Sequence, residues 1–363
     1  MRGLTWDHPR GINPLRQSAE RWGSSVIWES QPLEGFESAP LDELFEVFDV
    51  IVIDHPHLGD AIATKCIQPV SEWANLAQDQ YAPTNYVGPS LASYTVDGEL
   101  WALPLDAAAQ VAASEPSMVN VIPTTWDAVL SSLEEYRVGL CLAGPHAFLS
   151  FLSIYTAYCG RNILDDFDCS AAKTAYSIMT AIAARMDPTW WELNPIGLLD
   201  SMAKGNGPNY CPLVFGYVNY SQSPKPGARR LFFHDAPTGE TGNIGSVIGG
   251  TGLAVSAQAS LAPDEVAYLL SLIKPDVQQG SWVNDDGQPA RIEAWTNPEI
   301  DATAYGFYSQ TLSTLEQSFV RPRYPGFTRT QDDASTMLRK SLAEKTPENI
   351  FIEKISKLFN KRI

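Results

Sequence analysis

The chain is short of charge, of basic residues in particular, and of long apolar runs, and each shortage closes off a class of function. Only 18% of its 363 residues are charged, and Asp and Glu outnumber Lys and Arg by 42 to 25, leaving a formal charge of −17. Nucleic-acid binders carry a basic stripe, and a field of this sign repels phosphate backbones and anionic lipid, so nucleic acid is excluded as a partner. The apolar stretches "VFDVIVI" and "CPLVFGYV" are strand-length, far below the roughly 20 apolar residues of a membrane-spanning helix. Cysteine is scarce and odd in number at 5, with no Cys-x-x-Cys spacing for zinc or redox work. Cys159 and Cys169 flank the polar loop "GRNILDDFD" and can bridge in an oxidising compartment, with buried free thiols the plainer reading.

Catalytic signatures are missing too. There is no G-x-S-x-G elbow, "GGTG" lacks the G-x-G-x-x-G spacing, and no G-x-x-x-x-G-K-[ST] string exists. No cofactor is therefore expected. Paired carboxylates at Asp165 and Asp166, and at Asp285 and Asp286, sit in polar strings and read as solvated turns. The opening "MRGLTWDH" has neither the basic start nor the apolar stretch of a secretory signal, so it reads either as cytoplasmic or as a chain whose signal was removed.

What is present is ample material for burial, with 44% hydrophobic residues including 10 Trp, 14 Tyr and 14 Phe. At about 150 residues per domain, this length implies two lobes. The first third alternates strand and helix signals: "GLTW", then "INPLRQSAERWG" with Asn13 as cap and Pro14 in the first turn, "SVIWES", "PLDELFEVF" and "DVIVID". Such alternation predicts a mainly parallel sheet covered by helices, whose ligands sit beyond the carboxyl ends of the strands. Asp97-Gly98 marks a hairpin, "PTTWDAVL" a Thr-capped helix, and "NPIGLLDSMAKG" a helix opened by Asn194 and closed by Gly205.

Two loops stand out. "WDHPRG" and "IDHPHLGD" each place the tripeptide DHP after a short apolar run, and together they hold three of the 5 histidines, His8, His55 and His57. The string Asp54-His55-x-His57 is one way hydrolases begin a metal site, but the further ligands such a site needs are not in evidence, and no metal is assigned. Proline within each loop fixes the backbone equally well without a metal. Binding absorbs more of the pattern. Trp6, Trp101, Trp190, Trp191, Tyr217, Tyr220 and Trp295 stand near strand ends, where flat faces stack on sugar rings or enclose cations. Asp7, Arg10, Asp54, Asp106, Asn219 and Arg291 supply planar polar groups beside them. Core filling remains the alternative for any one of these aromatics.

The strings "DGELWALPLDAAAQV", "PTTWDAVL", "YCPLVFGYVNY", "GGTGLAVSA" and "GQPAR", in that order, resemble family 1 extracellular solute-binding proteins, the maltose-binding-protein-like receptors of ABC importers. The resemblance runs over essentially the whole chain. It implies an α/β fold of the two-lobe, type II periplasmic-binding-protein kind, with a hinge and an interlobe cleft. Residues 1–107 and 251–318 would form one lobe, and 108–250 and 319–363 the other. It further implies Asp106 and Thr251 near ligand at the crossings, Tyr217, Asn219 and Tyr220 from the second lobe, and Arg291 from the first. The DHP loops, with Trp6, Asp7, His8, Arg10, Asp54, His55 and His57, would match the ligand-touching loops of the first two strands, and Trp295 completes the expected set. The expected protein is a non-enzymatic, monomeric receptor, periplasmic or extracellular, that delivers a sugar or similar polar solute to an ABC permease. Its rivals are a metal-dependent hydrolase built on the DHP loops and a cytoplasmic sensor of a compact cation.

Overall fold

A computed structural model describes residues 1–74, 82–161, 167–222 and 226–360. Asp165 and Asp166 lie outside them. The chain divides into two compact units. Unit 1 comprises Met1–Ala108, Ile248–Ala302 and Val320–Thr328; unit 2 comprises Ala109–Val247, Thr303–Phe319 and Arg329–Ile363. Residues 303–318, expected in the first lobe, group instead with unit 2. Helix Phe307–Gln317 is held there by the Phe307 ring, edge-on to Phe233 at 5.1 Å, and by Thr314, whose amide and hydroxyl both donate to Asp235. Residues 320–328, expected in the second lobe, return to unit 1.

In unit 1, strands β1 (Arg2–Trp6), β2 (Ile27–Gln31) and β3 (Val50–Ile53) are parallel, in the order β2-β1-β3. Strand Ile248–Ser256 then joins β3 in antiparallel register, Gly252 opposite Ile53. The sheet is thus mixed where strand and helix alternation predicts a mainly parallel one. Its antiparallel member enters from unit 2 instead of through a helical crossover, so the rule that crossovers join parallel strands does not reach it. Every residue of β3 is buried, which is why "VIVI" shows no polar alternation.

Helix α1 (Pro9–Trp22) starts earlier than Asn13-Pro14 suggests. His8 is extended, and its Nδ1 accepts the Arg10 amide at 3.1 Å, while Pro9 takes the first position, where a missing N–H costs nothing. Pro14 then sits inside the helix. Other local signals read as expected. Asn194 caps Pro195–Lys204 before Gly205 ends it, Thr125 caps Trp126–Ser131, and Asp97 and Gly98 both take positive φ in the hairpin turn.

Unit 2 is built on helix His146–Cys159, which is buried nearly all round, as an apolar helix without a polar face must be. Phe148 stacks on Phe359 at 5.5 Å, and Tyr176 stacks on Phe351 at 4.2 Å, tying the C-terminal helix Glu348–Asn360 to this core. All 5 cysteines are free thiols, Cys159 and Cys169 included. Among the described residues no helix is long and apolar enough to cross a membrane.

The carboxyl edge of the unit 1 sheet

Parallel β1, β2 and β3 end together at Trp6, Gln31 and Ile53, so the residues that follow are gathered at one edge. Antiparallel pairing of Gly252 with Ile53 brings Thr251 to the same place. Tyr94 closes the edge from behind, its hydroxyl donating to the carbonyls of Ile53 at 3.1 Å and Gly250 at 3.3 Å. Asp7, His8, Asp54, His55 and Thr251 therefore assemble from three separate stretches of sequence.

Most of these side chains already have work inside the fold. Asp7 is exposed, and its carboxylate accepts from Ser30 Oγ at 3.4 Å. Trp6 is buried, with its ring against Gly11 and Phe36. Arg10 lies under the first loop and grips Asp106: its Nε donates to Oδ2 at 2.7 Å and its Nη2 to Oδ1, with both side chains at least 96% buried. Burial pushes the Asp106 carboxyl up, against the pull of the Arg10 guanidinium. Thr251 is 5% exposed.

The second loop grips a different stretch, Val320–Thr328. Asp54 accepts from Arg321 Nη2 at 2.6 Å, and the Arg321 amide donates to His55 Nε2 at 3.2 Å. Because Nε2 accepts that amide, the neutral imidazole carries its proton on Nδ1, which stands 3.2 Å from Asp54 Oδ1. Asp60 continues the grip, accepting from the Gly326 amide at 2.6 Å and the Thr328 hydroxyl at 3.1 Å. Gly59 has the 323–324 backbone directly against it. Burial alone would raise the Asp54 carboxyl, but Arg321 and His55 override it and hold it well below the usual carboxylate range. Burial, then Arg321, lowers His55 to about 4, with Asp54 opposing. His57 is buried and lowered as well, chiefly by burial. Among the described residues no group of three or more His, Cys, Asp and Glu is gathered to hold a metal ion. His8 Nδ1 and His55 Nε2 each accept a backbone amide.

Other expected site residues lie elsewhere. Trp295 is 1% exposed, its Nε1 donating to the Pro289 carbonyl at 2.7 Å, and fills core. Arg291 bonds Glu293 through Nε and Nη2 and lies over the Tyr86 ring. It lines a cavity of about 340 Å³ with Trp22 and Lys274, and Trp22 ends α1, about 21 Å along the helix from the DHP loop. This cavity is remote from the sheet edge, and Arg291 in its lining already has a carboxylate partner in Glu293. In unit 2, Tyr217 and Tyr220 form an edge-to-face pair with centroids 6.5 Å apart. Tyr220 is anchored by its hydroxyl, 2.8 Å from Asp200, and Asn219 opens the short helix Asn219–Gln222.

No family model matches the chain, and no curated protein matches its sequence. Solved structures do match its fold. Maltose-bound MalE3 of T. maritima superposes with a TM-score of 0.80 at 15% identity, covering 100% of this chain and 99% of that one. A solute-binding protein of Thermotoga lettingae bound with α-D-tagatose gives 0.80 at 16%, covering 99% and 98%. One from Agrobacterium radiobacter in complex with ribitol gives 0.77 at 16%, covering 100% and 98%. The fold is that of the two-lobe ABC solute-binding proteins. The resemblance carried by the five sequence strings is met, at the level of fold, over the full length.

Within the solute-binding fold, the sequence reading missed the partners of its own motif: Arg321, which the DHPH loop holds, and Asp60 beside it. The signal for Arg321 was "RPRYPG", a locally basic string in an acidic chain, while Asp60 closes the quoted "IDHPHLGD" itself. Two consequences are measurable. A Cβ on Gly59 would stand 2.5 Å from Tyr324 backbone atoms, so Gly59→Ala is expected to cost about 1–3 kcal/mol in a denaturant titration; an unchanged midpoint would contradict the packing. The second concerns acid. Unfolded His55 takes a proton near 6.5, whereas the folded imidazole refuses it until about 4. Its contribution is complete above pH 6.5 and is lost as pH falls through that window. His55→Gln should flatten the stability slope there by up to about 1.4 kcal/mol per pH unit, the value of one proton. Equal slopes in variant and wild type would mean that His55 titrates normally.

Proposed function

We propose that this protein is the substrate-binding component of an ABC import system, a non-enzymatic receptor for a carbohydrate, polyol or similarly polar small solute. The observation that carries the reading is the full-length match of fold, at a TM-score of 0.80, to proteins captured with maltose and tagatose. The polar carboxyl edge of unit 1 supports it. Sugar hydroxyls are recognised by exposed carboxylates and hydroxyls at such an edge, with aromatic faces to stack on the ring. Asp7, the open side of Asp54 and Thr251 are the proposed contacts from unit 1, with Tyr217, Asn219 and Tyr220 from unit 2. His8, Arg10, His55, His57 and Asp106 support that edge from beneath. Trp6, Arg291 and Trp295 take no part in contact. Ligand touching both units favours a closed arrangement by the sum of those contacts. The partners are then the permease subunits that take the solute on, and the compartment is periplasmic or extracellular.

A thermal-shift panel of maltose, tagatose, ribitol, mannitol and glycine betaine tests this. A ligand at a hundredfold excess over its Kd adds about 3 kcal/mol to the folded state, a rise of several degrees. At least one polyhydroxylated compound should give it, and Asp7→Ala should reduce it. A shift with betaine alone would replace the sugar reading by a cation receptor.

A further inference from the structure

Unit 1 meets unit 2 along the chain at several points, and three of them lie at the sheet edge just described. The chain passes out after Ala108, returns at Ile248, and makes a short visit to unit 1 over Val320–Thr328. Each is fastened within unit 1, close to its border. Asp106, two residues before the first passage, is held by Arg10 of the first DHP loop. Gly250, two residues after the second, lies against the Asp106 carbonyl and accepts from Tyr94. Arg321, at the start of the third, is held by Asp54 and His55 of the second DHP loop, and Asp60 holds its end.

We infer that the twin DHP loops are positioning elements: their buried residues fasten chain segments on which the two units pivot, and thereby set how far the units swing, while Asp7 and the open side of Asp54 are left to the solute. The placement argues for this directly. A contact residue would keep its polar atoms open to the ligand, whereas Arg10, Asp106, His55 and Arg321 are at most 5% exposed and bonded to chain partners. The two loops hold different passages, the first through Arg10 of DHPR and the second through Asp54 and His55 together with Gly59 and Asp60 that follow. A cradle for a segment that leaves a unit and re-enters it needs a carboxylate for its cation, an acceptor for its amide and a residue without a side chain where its backbone lies closest. Asp54, His55 and Gly59 are these. Arg323 adds a second fastening from the segment's side, its Nη1 donating to the carbonyls of Ala92, Ser93 and Thr95.

The consequence for solute capture rests on the receptor reading above, but the fastening does not, and its test uses no ligand. Hydrogen exchange is followed on the full, ligand-free chain as wild type, Asp60→Ala, His55→Ala and His55→Gln. Alongside it, energy-transfer distances are recorded between one dye in each unit. Asp60→Ala and His55→Ala should speed exchange of peptides covering 320–328 at least tenfold, leave β1 and β3 within twofold, and broaden the inter-unit distance distribution. Gln restores an acceptor for the Arg321 amide, so His55→Gln should recover most of both. Asp60 is only partly buried and its variant keeps the buried cluster intact, which preserves the test if His55→Ala does not fold. Exchange rising evenly through unit 1, or a distance distribution identical in all four proteins, would overturn the inference. Failure of every sugar to bind would instead count against the receptor reading alone.

Discussion

Replacing Arg10 with alanine is expected to destabilise unit 1 by about 3–5 kcal/mol, the cost of leaving one member of a buried ion pair without its partner. Arg10 and Asp106 are 4% and 2% exposed, and the two are joined by a two-point contact. The orphaned carboxyl, whose ionisation burial already opposes, would take up a proton at a higher pH than in wild type. Replacing both residues by hydrocarbon side chains of similar size, Arg10→Met with Asp106→Leu, should recover most of the loss, since the desolvation of two charges is then avoided altogether. Denaturant titrations of the three proteins decide this. A single variant within 1 kcal/mol of wild type would show that the pair contributes little, and with it the fastening of the first passage would lose its energetic basis.

The contrast between that pair and its sequence signal shows where reading the chain succeeds and where it stops. Asn194 and Gly205, Thr125, and Asp97-Gly98 act on residues within a turn of themselves, so their roles are visible in a few letters. Strand β3 is legible for the same reason, as an unbroken apolar string between polar ones. Arg10 and Asp106 are 96 positions apart, and Asp54 and Arg321 are 267 apart. Nothing local distinguishes an aspartate that will meet an arginine across the fold from one that will face a ligand. The two DHP tripeptides look alike because both follow parallel strands and both need a proline-stiffened exit. Their partners differ because partner choice is set by what packs above the edge, not by the tripeptide. The start of α1 was missed for a smaller reason. Histidine is not among the usual capping residues, yet its Nδ1 reaches the Arg10 amide as an aspartate oxygen would. Aromatic residues near strand ends misled in the opposite direction: Trp6 and Trp295 carry the composition of a sugar cleft and the burial of a core.

Gly250→Ala is the other substitution expected to be severe, at about 2–5 kcal/mol, because two independent penalties coincide there. Gly250 holds φ at +90°, a region in which an L side chain costs about 1–2 kcal/mol. A Cβ built on it would also stand 2.3 Å from the Asp106 carbonyl oxygen and 2.8 Å from Ala107 Cα, an overlap that backbone movement must relieve at about 1–3 kcal/mol more. Those atoms cannot yield freely. Asp106 is pinned by Arg10 on one side, the Gly250 carbonyl accepts from Tyr94 on the other, and the next residue pair, Gly252 with Ile53, is locked in register. Relief of the clash must therefore spread into the passages at 108 and 248, so the variant should lose stability and, where it remains folded, show faster exchange at both. Loss of stability with exchange at 106–112 and 246–252 unchanged would place the damage elsewhere, and a variant as stable as wild type would mean that the two passages do not meet as closely as the Gly250 backbone requires.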